Sequence, residues 1–195
     1  MTSTALSLVT WLSCHPSALN RWVRSIEVQV QTTPEGALAL LYRLTGDVTH
    51  LDIPAARPPM RTDGLWQHTC FEAFVRTGKD AAYHEFNFAP SGEWAAYRFD
   101  SYRNGTMLEE ATDPCIVVRR DADRLELDAR IAGESLPAGA SLSLALCAVI
   151  EDREANVSHW ALRHPPGKPD FHHPDGFALE LDSPFAHKPV NVERQ

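Results

Sequence analysis

Residues 65–100 read LWQHTCFEAFVRTGKDAAYHEFNFAPSGEWAAYRFD, and three segments within them alternate apolar and polar residues with the period of a β-strand. Successive strand side chains face opposite sides of a sheet, so period two separates each segment into two faces. In Thr69–Arg76 the residues Phe71, Ala73 and Val75 share one face, while Cys70, Glu72, Phe74 and Arg76 share the other. Tyr83–Phe88 divides likewise, with His84, Phe86 and Phe88 against Tyr83, Glu85 and Asn87. In Trp94–Phe99 the residues Ala95, Tyr97 and Phe99 are assigned inward, leaving Trp94, Ala96 and Arg98 outward. Pro90-Ser91-Gly92 is a tight reversal between the second and third segments. Pairing of the three as neighbours gathers Glu72, Glu85, Asn87, Trp94 and Arg98 on one sheet face. Carboxylates, an amide, a guanidinium and an indole together suit a polyhydroxylated or anionic small ligand.

Working outward, the same alternation recurs on both sides. Ala5–Leu12 reads as a first strand with Leu6, Leu8 and Trp11 as its buried candidates. Ser25–Thr32 and Ala37–Leu44 form a hairpin around Thr33-Pro34-Glu35-Gly36. A short strand is expected at His50–Ile53, followed by a proline-rich loop over 54–63 that cannot sustain a ladder. Residues 115–120 and 124–131 read as a second hairpin, 141–150 as a buried strand, and Val157–Arg163 and Phe177–Leu181 as the last strands. The helical signal is confined to one turn over Ser17–Val23, with Ser17 as its N-cap. Many short strands punctuated by Gly and Pro predict an all-β fold: a two-sheet antiparallel β-sandwich, jelly-roll-like, with few or no helices, occupying residues 1–195 as one domain. The expected core comprises Phe71, Val75, Phe86, Phe88, Tyr97, Phe99, Leu144 and Leu146.

Composition narrows the function classes. With 195 residues, 44% hydrophobic and 23% charged, the chain is long enough to bury a core without staples. The net charge of -8 and the scattered basic residues argue against nucleic acid as a partner. No apolar run reaches the length of a membrane-spanning helix, and the amino-terminal run lacks the basic start of a secretion signal. Cys14, Cys70, Cys115 and Cys147 are widely spaced, with no CxxC pair. Free thiols and a cytoplasmic location are therefore expected.

The run Leu65-Trp66-Gln67-His68-Thr69-Cys70-Phe71-Glu72-Ala73-Phe74, followed by Tyr83-x-Glu85-x-x-x-x-Pro90-x-Gly92 and then by Trp94 and Tyr97, resembles the DOMON-like and family 9 carbohydrate-binding-module-like (CBM9-like) β-sandwich domains. The resemblance covers most of the chain, with its sharp part in about 35 residues, and Gln67-His68 stands where acidic residues are common in that family. It implies a β-sandwich that binds sugars or b-type haem.

The expected function is a non-catalytic small-ligand binding domain that recognises a carbohydrate or related metabolite on one sheet face. Glu72 and Glu85 would accept hydrogen bonds from hydroxyls, Asn87 would donate and accept, Trp94 would stack, and Arg98 would pair with an anionic group or with Glu72. Trp66, beginning its segment after Gly64, reads as a packed anchor rather than a platform. A second constellation places His159 and Arg163 in one strand phase, ahead of a loop rich in proline and ionisable groups that carries Lys168. Arg163 and Lys168 are candidates for an anionic ligand group. The same loop holds Asp170, His172, His173 and Asp175, but adjacent histidines on extended chain point apart, so no metal is expected. Haem b is the alternative cofactor, with Met60, Met107, His84, His159 and His164 as conceivable axial ligands. A glycoside-processing enzyme is the third reading, because two carboxylates about 5 to 5.5 Å apart serve retaining glycosidases. The chain carries no nucleophile motif, phosphate loop or cofactor fingerprint.

Overall fold

Alternation at period two becomes twelve strands in a computed structural model that describes residues 7–139 and 141–182. They are β1 (Ser7–Cys14), β2 (Val23–Thr32), β3 (Leu38–Gly46), β4 (Cys70–Thr77), β5 (Tyr83–Phe88), β6 (Trp94–Ser101), β7 (Asn104–Met107), β8 (Cys115–Arg120), β9 (Arg124–Ile131), β10 (Ser141–Glu151), β11 (Val157–Ala161) and β12 (Leu179–Asp182). The first sheet has the order β1-β2-β3-β9-β8, and the second runs β7-β6-β5-β4-β10, with β11 and β12 sharing the far edge of β10. β1 belongs to both. Its Ser7–Leu12 portion pairs with β2, while Ser13 and Cys14 pair with Ala161 and Trp160 of β11. Every ladder between these strands is antiparallel, and the architecture is the expected all-β sandwich.

Between the sheets, Ile26, Val28, Leu40, Tyr42, Leu44, Leu125 and Leu127 meet Phe71, Val75, Phe86, Phe88, Leu144 and Leu146, all buried. Tyr42 keeps its hydroxyl satisfied inside this core by donating to the Glu72 carbonyl at 2.8 Å, which pins β4 against the first sheet. The β5–β6 reversal closes through Ala89 N–H to Glu93 O and Gly92 N–H to Ala89 O, both at 2.9 Å, with Gly92 at φ 93. Glycine takes that left-handed conformation without the Cβ penalty, and the following strand starts in fixed register: Phe88 opposite Trp94, Phe86 opposite Ala96, Glu85 opposite Tyr97.

That register corrects several expectations. Tyr97 and Phe99 do not join the core between the sheets; they lie on the outer face of the second sheet beside Glu85, and Trp94 and Ala96 enter the core instead. β1 buries Leu12 and half-buries Leu8, so Trp11, in the opposite phase, is 56% exposed; Ala5 and Leu6 lie outside the described residues. At Ser17–Val23 there is no helix: the Ser17 N–H donates to His15 Nδ1, and Asn20 Oδ1 accepts from the Trp22 and Val23 N–H groups. His50–Ile53 is reduced to a 3-10 turn at Val48–His50 and one bridge from Leu51 to Asp152. β7 was not anticipated, because Asn-Gly-Thr-Met carries no alternation to read. The four cysteines are free, Cys70 and Cys147 buried, Cys14 half-buried and Cys115 exposed.

Candidate functional site

The outer face of the second sheet is not bare. The loop over 162–178 crosses it, and beneath lies a cavity of about 320 Å³, within the range of small-molecule sites. Its floor is the sheet: Glu72 and Phe74 from β4, Glu85 from β5, Tyr97 and Phe99 from β6, Val149 from β10 and His159 from β11. Pro169, Phe171 and His172 form the roof, and Trp66 and Arg103 stand at the sides.

Two links hold the roof. Asp170 receives the Tyr102 hydroxyl at 2.7 Å, the Arg103 Nη2 at 2.9 Å and the His172 N–H at 3.1 Å, tying the β6–β7 turn to the loop. Burial opposes ionisation of Asp170, yet the hydrogen bonds from Tyr102 and Arg103 keep its carboxyl below the ordinary range. The His172 ring packs edge-on against Phe74 and Phe99 at 5.1 and 5.0 Å, its Nδ1 2.9 Å from the Tyr83 hydroxyl. Phe171 meets His159 edge-on at 5.8 Å. Trp66 sits on a 3-10 turn (Leu65–Gln67), 43% exposed, with its indole edge-on to Tyr97, whose hydroxyl donates to Asp63.

The electrostatics follow from who stands beside whom. A transverse row across the second sheet runs Ala95, Asn87, Glu72, Cys147, Ala161, so Glu72 has an amide and a thiol for neighbours and no cation. Glu72 is 2% exposed, and its Oε1 has no hydrogen-bond partner among the described residues. Burial, together with the negative charge of Glu85, raises its pKa well above the ordinary carboxylate value. Glu85, 5% exposed, is pushed up to about 7 by burial, against the opposing hydrogen bond from Asn87 Nδ2 at 2.8 Å and the charge of Arg103. His172 is pushed down to about 4 by burial and by Arg103, so it is neutral at pH 7, and its 3.9 Å approach to Glu85 is no ion pair. His159 is also lowered, by burial first and then by His15 and His164, and its Nδ1 is a second orphaned polar atom in the cavity lining.

Of the residues expected at the site, Glu72, Glu85 and His159 converge on the cavity, and Asn87 supports Glu85 from the neighbouring position. Trp94 and Arg98 do not. Trp94 is 1% exposed in the core, with the Arg61 guanidinium 4.5 Å from its ring, and Arg98 is exposed on the opposite strand phase, 3.5 Å from Asp100 rather than paired with Glu72. Arg163 and Lys168 are exposed and outside the lining. Among the haem-ligand candidates only His159 lines the cavity; His84 and His164 bond the carbonyls of Ser135 and Ser13, and both methionines are exposed. Among the described residues no three metal-ligating side chains converge. The missed residues differ in what could have found them. Tyr97 and Phe99 were recoverable from the Pro90–Gly92 reversal, which sets the register; Arg103, Phe171 and His172 come from turns and loops with no local signal of convergence.

No family model matches the chain, and comparison with curated proteins yields no significant match. Solved structures of similar architecture include the following two. A candidate carbohydrate-binding protein from Bacteroides uniformis is 14% identical, with a TM-score of 0.59 over 90% of this chain and 85% of that one. A family 9 carbohydrate-binding module from Caldicellulosiruptor kristjanssonii, solved in complex with glucose, is 18% identical, with a TM-score of 0.50 over 85% of this chain and 78% of that one. The fold is CBM9-like. In this CBM9-like sandwich the candidate site therefore lies on the outside of the sheet built from the residue 65–100 segment.

Proposed function

We propose that this protein binds a small saccharide, or the end of a longer one, in the roofed cavity on its second sheet. The observation that carries the reading is that Glu72 and His159, both lining a ligand-sized cavity, each hold a buried polar atom, Oε1 and Nδ1, with no protein partner among the described residues. A buried polar group left unbonded costs about 1 to 3 kcal/mol, so such groups call for a ligand that supplies the missing hydrogen bonds. Closely spaced hydroxyls do so, and the rings of Trp66, Tyr97, Phe99 and Phe171 supply apolar surface for a sugar's C–H faces. The sugar ligands of CBM9 modules support the same choice, glucose in the relative described above. The proposed role is recognition rather than turnover, as in the carbohydrate-binding module of similar fold.

Isothermal calorimetry with glucose and with cello-oligosaccharides tests the reading. Saturable one-to-one binding is expected, weakened about tenfold or more by Glu72→Ala, which removes a hydrogen-bonding group. Absence of heat with every saccharide, from folded protein, contradicts it.

A further inference from the structure

The ionisable groups of the cavity are weighted towards acids. Its lining contains two carboxyl groups, Glu72 and Glu85, and one guanidinium, Arg103, which is already engaged by Asp170 at 2.9 Å. The two lining imidazoles add no positive charge at neutral pH, both being held below their ordinary range by burial. Neither glutamate has a cation beside it in its sheet row: Glu72 stands between Asn87 and Cys147, Glu85 between Phe74 and Tyr97. A neutral sugar would satisfy hydrogen bonds here and leave both acids without a charge partner. A positively charged group would resolve both at once, because hydrogen bonds from an ammonium to carboxylates are about twice as strong as neutral ones, and the aromatic walls attract cations.

Resting on the saccharide reading above, we propose that the preferred ligand is an amino sugar whose protonated amine sits against Glu72 and Glu85. The hydroxyls then face His159 and the remaining carboxylate oxygens, and the ring lies among Trp66, Tyr97 and Phe171. Because burial raises the pKa of both carboxyl groups, that of Glu85 to about 7, binding an ammonium against their ionised forms displaces protons from the site. Amine affinity accordingly falls as pH is lowered from 7 to 5, where Glu85, with its pKa at about 7, holds its proton; affinity for a neutral sugar has no such requirement. Anionic sugars are disfavoured throughout.

The test is calorimetry at pH 7 with D-glucosamine, D-glucose and N-acetyl-D-glucosamine, repeated in two buffers of different ionisation enthalpy. Glucosamine should bind about tenfold or more tightly than glucose, release protons to the buffer, and lose its advantage when acetylated. Glu72→Gln keeps the shape and cannot ionise, and removes an unpaired buried acid, so it should fold; the gap between glucosamine and glucose should then shrink to about threefold or less. Glucose binding as tightly as glucosamine, or a tenfold gap that survives both Glu72→Gln and Glu85→Gln, overturns the amine proposal and leaves the saccharide reading standing. Failure of all three sugars overturns both.

Discussion

On the outer face of the first sheet a transverse row runs Trp11, Glu27, Arg43, Glu126, Arg119; on the outer face of the second, a row runs Ala95, Asn87, Glu72, Cys147, Ala161. Both rows come from alternating strands with glutamates in the phase away from the core. In the first, Arg43 reaches Glu27 at 2.7 Å and Glu126 at 3.3 Å, and the face is solvated. In the second, the glutamate has no opposite charge and is roofed by the 162–178 loop. Paired surface charges are scaffolding worth little; an unpaired buried carboxyl costs stability, which is why the second row carries the proposed ligand site.

The largest expected effect separates Trp94, in the second sheet, from Trp66, on the turn beside it. Trp94→Ala opens a core cavity and should cost about 3 to 5 kcal/mol in chemical denaturation, whereas Trp66→Ala, on a half-exposed 3-10 turn, should leave the melt within about 1 kcal/mol and weaken saccharide binding. The reverse pattern would return Trp94 to the ligand face.

Next is pH. The folded state raises Glu85 from about 4.5 to about 7, so it favours the protonated form, and the unfolded chain binds fewer protons in that window. Stability from this group is present below pH 4.5 and is lost as pH rises through 7, by about 3 kcal/mol, or roughly 6 to 12 °C in melting temperature. Glu72, raised for the same reason and by Glu85, adds to the loss in the same direction. Thermal melts of the ligand-free protein should fall between pH 5 and pH 8, and Glu85→Gln should flatten the slope. A melting temperature that climbs over that range in the parent protein would contradict the burial of uncompensated carboxyls.

The smallest effect belongs to the first face. Arg43→Ala breaks both ion pairs of its row; the three side chains are half-buried on the solvent side of the sheet, and surface pairs are worth about 0 to 1 kcal/mol each, so the loss should stay within about 2 kcal/mol and fade at high salt. A loss comparable to that of Trp94→Ala would erase the distinction between the faces.

How much of this could be read in advance depends on where each residue's fate was decided. β5, β8 and β9 were legible to the residue because alternation is continuous and turn residues bound them. Glu72 and Glu85 were legible as face mates because each strand has one clearly apolar phase. β6 was not: both of its phases carry an aromatic, so composition could not choose between Trp94 and Tyr97, and the Gly92 turn geometry made the choice. Trp66 escaped because a 3-10 turn after left-handed Gly64 obeys no strand period. The roof was illegible because Asp170, Arg103 and His172 meet only when a turn and a distant loop fold onto one sheet.

The most direct measurement of the central claim uses tryptophan itself, since the five indoles are spread over both faces and the core. With 15N-labelled tryptophan, titration of saccharide followed by two-dimensional NMR should move the Trp66 Nε1–H resonance along a saturable curve. The resonance of Trp11, exposed on the first sheet's outer face, should stay in place. Movement of Trp11 with Trp66 unchanged, or no movement in either, would contradict the assignment of the ligand to the roofed face of the second sheet.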